Sequence, residues 1–76
     1  MNILKIKSKR DRRVLEFMLE EGGITTLQAF KELGNTRLSG SIHELRSKGY
    51  AIADEWATFK NRYGEKCRVK RYFLES

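Results

Sequence analysis

Thr25-Thr26-Leu27-Gln28-Ala29-Phe30-Lys31-Glu32-Leu33-Gly34-Asn35-Thr36-Arg37-Leu38-Ser39-Gly40-Ser41-Ile42-His43-Glu44-Leu45-Arg46-Ser47-Lys48-Gly49 is the stretch whose reading decides the fold. Thr25 can cap a helix, and Gln28 can return the hydrogen bond to it, so that two orphan amides are satisfied at once. Leu27, Phe30 and Leu33 fall at helical spacing and mark an inner face, and Gly34 supplies a left-handed stop. The next helix starts at once, capped by Asn35 or Thr36. It runs to about Lys48, with Leu38, Ile42 and Leu45 on one face and Gly49 as its end. The result is two short helices joined by a tight turn containing glycine.

The flanking sequence gives that pair its context. Upstream, Ser8 offers an N-cap with Asp11 as a capping-box-like partner, and Val14, Leu15, Met18 and Leu19 follow at helical spacing. Glu20-Glu21-Gly22-Gly23 closes this helix, and Ile24 is a lone apolar residue in the connection. Residues 1–7, Met1-Asn2-Ile3-Leu4-Lys5-Ile6-Lys7, read as a short strand or a loose basic arm. Downstream, Tyr50 to Phe59 alternates and places Ile52 and Trp56 on one face. Lys60-Asn61-Arg62-Tyr63-Gly64 is turn chemistry. Cys67 to Leu74 is rich in β-branched and aromatic residues, with Tyr72 and Leu74 on one face. A hairpin of this kind is marginal alone and must pack on the helices. The order helix, helix, turn, helix, hairpin predicts an α+β, mainly α, winged helix-turn-helix: three helices followed by a β-hairpin wing. With no proline, repeat or low-complexity linker, residues 1–76 read as a single domain. Phe17, Phe59, Tyr63 and Phe73 read as core and hairpin cover, with a partner patch as the alternative.

Seventy-six residues support one core and no substrate domain. No apolar run approaches the ~18 residues of a membrane span, and the alternating Ile and Lys at the start do not read as a secretory signal. Cys67 is the only cysteine, which excludes an internal disulfide and predicts a reducing, intracellular setting. The net charge is +6, and its placement is informative. Residues 1–13 hold six basic residues against one acidic, and residues 60–76 hold six against two, while residues 14–59 are net acidic. Positive charge gathered at both ends suggests two contact zones for a polyanion, with a generic solvated basic surface as the plainer alternative.

At about 100° per residue, the side of the third helix opposite its apolar stripe presents Thr36, Gly40, His43 and Ser47. Arg37, Glu44 and Lys48 lie on one flank, Ser39 and Arg46 on the other. Small and hydroxylated residues among basic ones let a helix sit deep in the major groove of double-stranded DNA. Arg37 can reach guanine O6 and N7, a contact that supplies about 1–3 kcal/mol of discrimination. Ser39 and His43 can reach base edges or phosphate, and Arg46 is expected on phosphate. Glu44 is expected to pair with Lys48 rather than accept from a cytosine. Lys60, Asn61 and Arg62 form the wing tip, where an arginine follows phosphates or enters a narrow minor groove. Arg68 and Lys70 share one face of their strand and Arg71 takes the other. For the first two, DNA contact and protection of an edge strand are equally open. Lys9, Arg10, Arg12 and Arg13 set positive charge against the positive end of the first helix. That points to an external anion or to a flexible basic arm.

Catalysis finds no footing. His43 is the only histidine and lies far from Cys67, so one chain cannot assemble a zinc set. Neither a nucleophile constellation nor a glycine-rich phosphate loop is present. No enzyme activity, cofactor or metal is expected.

Gly23-Ile24-Thr25-Thr26-Leu27-Gln28-Ala29-Phe30, Leu33-Gly34, Arg37-Leu38, Ile42-His43-Glu44-Leu45-Arg46 and Gly49-Tyr50 together resemble a family of small winged helix-turn-helix proteins common in bacteriophages and prophages. The resemblance spans residues 10–74. It implies a winged helix that binds DNA, with Arg37 and Arg46 as the carried-over contact positions and a basic residue expected where Ser41 stands. The role that follows is transcriptional regulation, or accessory work in excision or recombination. The alternative is a protein-interaction winged helix that inhibits a host protein or adapts to one, using Glu16, Glu20, Glu21 and Glu32. A monomer's short footprint makes a homodimer or tandem sites the expected route to specific control.

Overall fold

The computed structural model describes residues 6–75. Its elements are α1 (Lys9–Glu21), β1 (Ile24–Thr25), α2 (Thr26–Leu33), α3 (Leu38–Ser47), β2 (Ile52–Lys60) and β3 (Lys66–Leu74). The strands form one antiparallel sheet in the order β1-β3-β2. The reading of residues 1–7 as strand or arm lies outside the described residues up to Lys5. Ile6 is buried, and its carbonyl accepts from the Arg12 guanidinium at 2.9 Å.

Local signals placed the helix ends well. Ser8 Oγ accepts from the amide of Asp11 at 3.3 Å, and α1 ends on Gly22 at a φ of 81°. Around α2 the capping box is complete. Thr25 Oγ1 accepts from the Gln28 amide at 3.0 Å, and Gln28 Oε1 accepts from the Thr25 amide at 2.9 Å. Gly34 closes α2 at a φ of 65°, a conformation that a Cβ would make costly.

Three expectations are corrected. Ile24 is not a lone connector: with Thr25 it forms β1, in register with Tyr72 and Arg71 of β3. Two residues carry no readable period, and the strand exists only because β3 offers it a ladder. Of the expected α2 face Leu27-Phe30-Leu33, only Leu33 packs against the core. Ala29 is the residue fully buried there, while Leu27 and Phe30 are 51% and 59% exposed. Ala29 lets an eight-residue helix lie close to its neighbours, and the larger side chains are displaced to the flank. Finally, α3 is capped by neither Asn35 nor Thr36. Arg37 occupies the N-cap position without a side-chain bond. Asn35 is buried and holds the turn instead: its Oδ1 accepts from the Arg37 amide at 2.8 Å, and its Nδ2 donates to Ser41 Oγ at 3.2 Å. Ser41 is therefore interior, which explains a serine where the resemblance implied a basic residue.

The core joins Ile6, Val14, Leu15 and Met18 to Ile24, Ala29, Leu38, Ile42, Leu45, Ile52 and Tyr72, with Phe17, Leu33, Tyr50 and Leu74 packed against it. The β2–β3 register runs from Ile52↔Leu74 to Lys60↔Lys66. Ile52 and Trp56 share a strand face by alternation, yet only Ile52 reaches the core; Trp56 is 59% exposed.

Candidate nucleic-acid interface

With Leu38, Ile42 and Leu45 turned inward, α3 presents Ser39, Gly40, His43, Glu44 and Ser47 to solvent, and Thr36 and Arg37 are exposed at its start. Gly40 is at the middle of this face. A Cβ built there meets no atom within 4 Å, so nothing inside the protein requires glycine at a helical position where alanine is better by about 1 kcal/mol. Ser47 Oγ donates to the Glu44 carbonyl at 2.7 Å. The expected Glu44–Lys48 ion pair is absent among the described residues; the amide of Lys48 instead continues the helix ladder to the Glu44 carbonyl at 3.2 Å.

Arg46 belongs to a different structure from the one the sequence suggested. Its Nε and Nη2 donate to the Ile52 carbonyl at 3.0 and 2.8 Å, and Nη2 also reaches Asp54 Oδ2 at 3.1 Å. This guanidinium ties the end of α3 to the root of the wing. The sequence places Arg46 on phosphate; in the structure its Nε and Nη2 are held by the protein, while the side chain stays 43% exposed.

At the far end of the hairpin, Asn61 is a turn builder. Its Oδ1 accepts from the amides of Tyr63 and Glu65 at 2.9 and 3.1 Å, and its Nδ2 donates to Glu65 Oε1 at 3.2 Å. Lys60 and Arg62 are exposed beside it, and Lys66 stands directly across from Lys60. Like charges facing each other across strands are unfavourable without a counter-charge.

The sequence profile of the family described as a winged helix-turn-helix domain matches residues 9–76. The chain belongs to that family. No curated protein and no solved structure matches it. Membership points to DNA as the partner. In this winged helix α2, the Gly34–Arg37 turn and α3 form the helix-turn-helix, and β2–β3 is the wing, with β1 as a third strand at its root. No described helix is long and apolar enough to cross a membrane.

The wing also carries a feature that sequence reading missed. Arg68 Cζ lies 4.7 Å from the centroid of the Trp56 ring, and Lys70 Nζ lies 5.5 Å from it. The register pairs Trp56 with Lys70 and Thr58 with Arg68, so the two cations bracket the indole on one face. Only the pairing of residues fourteen apart brings them together, and single-strand alternation cannot supply it. Arg71 is on the opposite face, as expected. It donates to the Gly22 carbonyl at 2.8 Å and to Glu55 Oε1 at 3.0 Å, and so braces the sheet against the end of α1.

Proposed function

We propose that this winged helix-turn-helix domain binds duplex DNA, with α3 in the major groove and the wing tip on the backbone or in the minor groove. One observation carries the reading. The exposed face of α3 is small and polar around Gly40, whose open side is unexplained by the protein's own packing. Arg10 and Arg13 of α1 border the start of α3 beside Arg37, and Arg68 of the wing lines the groove that Thr36 also lines. Ser39 and His43 read base edges, and Lys60 and Arg62 follow phosphate. The domain acts without catalysis or cofactor, in the bacterial cytoplasm. The sequence resemblance to phage and prophage proteins supports a regulator of transcription, or an accessory factor in excision or recombination. A homodimer or tandem sites extend a footprint too short for specific control.

Fluorescence anisotropy with random and promoter-derived duplexes at two salt concentrations tests this. Affinity should fall steeply with salt, with a logarithmic slope of about −0.9 per phosphate contacted. Failure to retain any duplex at low salt removes the proposal.

A second reading, docking of a partner protein, is favoured by one feature. A groove of about 390 Å³ between α2 and the wing is lined by Leu27, Phe30, Phe59 and Val69. Binding that is indifferent to salt would favour it.

A further inference from the structure

The basic start of α1 is placed against the local electrostatics of a helix. Cations near the positive end of the dipole are unfavourable, and the first turn of α1 holds a single acid, Asp11. Of the four bases there, Arg12 turns inward to the Ile6 carbonyl at 2.9 Å. Arg10 has a single weak partner, with Nε at 3.7 Å from Asp11 Oδ1, and its side chain remains 51% exposed. Arg13 is exposed and makes no ion pair among the described residues.

The fold gives these charges a common destination. A cavity of about 290 Å³ lies between α1 and the helix-turn-helix turn. It is lined by Arg10 and Arg13 from one side and by Gly34, Asn35, Thr36 and Arg37 from the other, with Leu33 at its edge. Three guanidinium side chains border it and no carboxylate does. The start of α3 adjoins it without a side-chain cap, adding the positive end of a ten-residue helix. The Asn35–Thr36 turn separates this basic cavity from the apolar groove on the wing side, and both residues line both spaces.

We infer that Arg10, Arg13 and Arg37 form a phosphate pocket that grips the DNA backbone on the α1 side of α3. The wing then holds the backbone on the other side, and the reading helix is bracketed. This rests on the DNA reading above, and it reassigns Arg37 from base recognition to phosphate. Guanidinium groups suit the task because each presents parallel N–H donors to phosphate oxygens. All three side chains are exposed, so truncating them leaves the core intact.

The test compares wild type, R10A/R13A, R37A and K31A, the last removing an exposed base of α2 outside the cavity. Anisotropy is measured on one random duplex across a salt series. R10A/R13A should lose about 1.8 from the logarithmic salt slope, R37A should lose about 0.9, and K31A should lose nothing. R37A should weaken all duplex sequences by the same factor. In a second arm, inorganic phosphate replaces DNA while the arginine Nε–H resonances are followed by NMR. Shifts of Arg10, Arg13 and Arg37 support a pocket that also accepts the free ion. Their absence, with the slope losses intact, supports a pocket specific to backbone phosphate. Wild-type slopes in R10A/R13A and R37A, or an equal loss in K31A, overturn the pocket while leaving DNA binding in place. If the wild-type chain binds no duplex at low salt, both proposals fall.

Discussion

The Arg46 guanidinium and the Ile52 carbonyl form a two-pronged hydrogen bond, at 3.0 and 2.8 Å, that joins the end of α3 to the start of β2. Asp54 closes the arrangement at 3.1 Å. The angle between α3 and the wing is therefore set partly by one side chain. Charge-assisted bonds contribute about 1.5–3 kcal/mol when well desolvated. Here the side chain is 43% exposed, so about 1 kcal/mol is the appropriate scale. Arg46→Ala should lower Tm by about 4–8 °C, and Arg46→Lys should do nearly the same because an ammonium cannot reproduce the fork. Thermal unfolding followed by circular dichroism decides it. An unchanged Tm together with a salt slope reduced by one contact would return Arg46 to phosphate binding.

Arg62 and Lys60 project from a turn that Asn61 builds with its own side chain. Removing either base should therefore leave the fold alone and act only on a polyanion. Arg62→Ala is expected to weaken binding to every duplex alike and to reduce the salt slope by about 0.9. Asn61→Ala should also weaken binding, but through a frayed turn, with loss of the ordered amide resonances of Tyr63 and Glu65. A sequence-dependent loss in Arg62→Ala would mean that the wing tip reads bases.

How far the sequence carried the fold depends on the range over which each signal acts. The capping box of Thr25 and Gln28, and the inward stripe of Leu38, Ile42 and Leu45, depend on contacts within one helix or on its period, and both were legible. Ile24 was not recognised as a strand because its partner Tyr72 is distant in the chain. The burial of Ala29 in place of Phe30 was hidden because apolar spacing reports size, whereas close helix approach selects for smallness. In the candidate interface, the exposed face of α3 followed from periodicity. The Arg46 tie to Ile52 and the Trp56 cluster depend on how the helix end meets the wing and on strand register, and neither is written locally.

His43 is exposed near the centre of α3's outer face, and its imidazole makes no hydrogen bond among the described residues. If α3 reads bases, His43→Ala should relax sequence preference in a selection from random duplexes, by about 1–3 kcal/mol at the affected base pair. Its effect on the salt slope should be small. Retention of the full preference would exclude His43 as a reader.

Trp56 is the chain's only tryptophan, so its emission reports on the wing without labelling. Arg68 and Lys70 stand over the ring at 4.7 and 5.5 Å, contacts worth about 0.5–1 kcal/mol at exposed sites. If this face meets the DNA backbone, the cations move toward phosphate and the indole environment changes. Saturating duplex should shift or quench the emission, and Arg68→Ala should reduce both that response and the salt slope. Emission that stays constant through a complete titration would place the Trp56 face away from DNA and leave edge protection as the role of Arg68 and Lys70.

Gly40 separates stability from binding most sharply. Glycine within a helix is less favourable than alanine by about 1 kcal/mol because the unfolded chain gains freedom. Inside this protein an added methyl group encounters nothing within 4 Å. Gly40→Ala should therefore raise Tm by several degrees while leaving the core unchanged. The same methyl group projects from the face assigned to the major groove, where it would hold the helix away from the bases. Duplex affinity should drop by at least about tenfold, equivalent to 1.4 kcal/mol, with the salt slope little altered. Opposite signs in the two measurements are the signature of a residue kept small for a partner. A stabilised variant that binds duplex as tightly as wild type would show that α3 does not approach DNA through this face, and the assignment of the reading helix would fail.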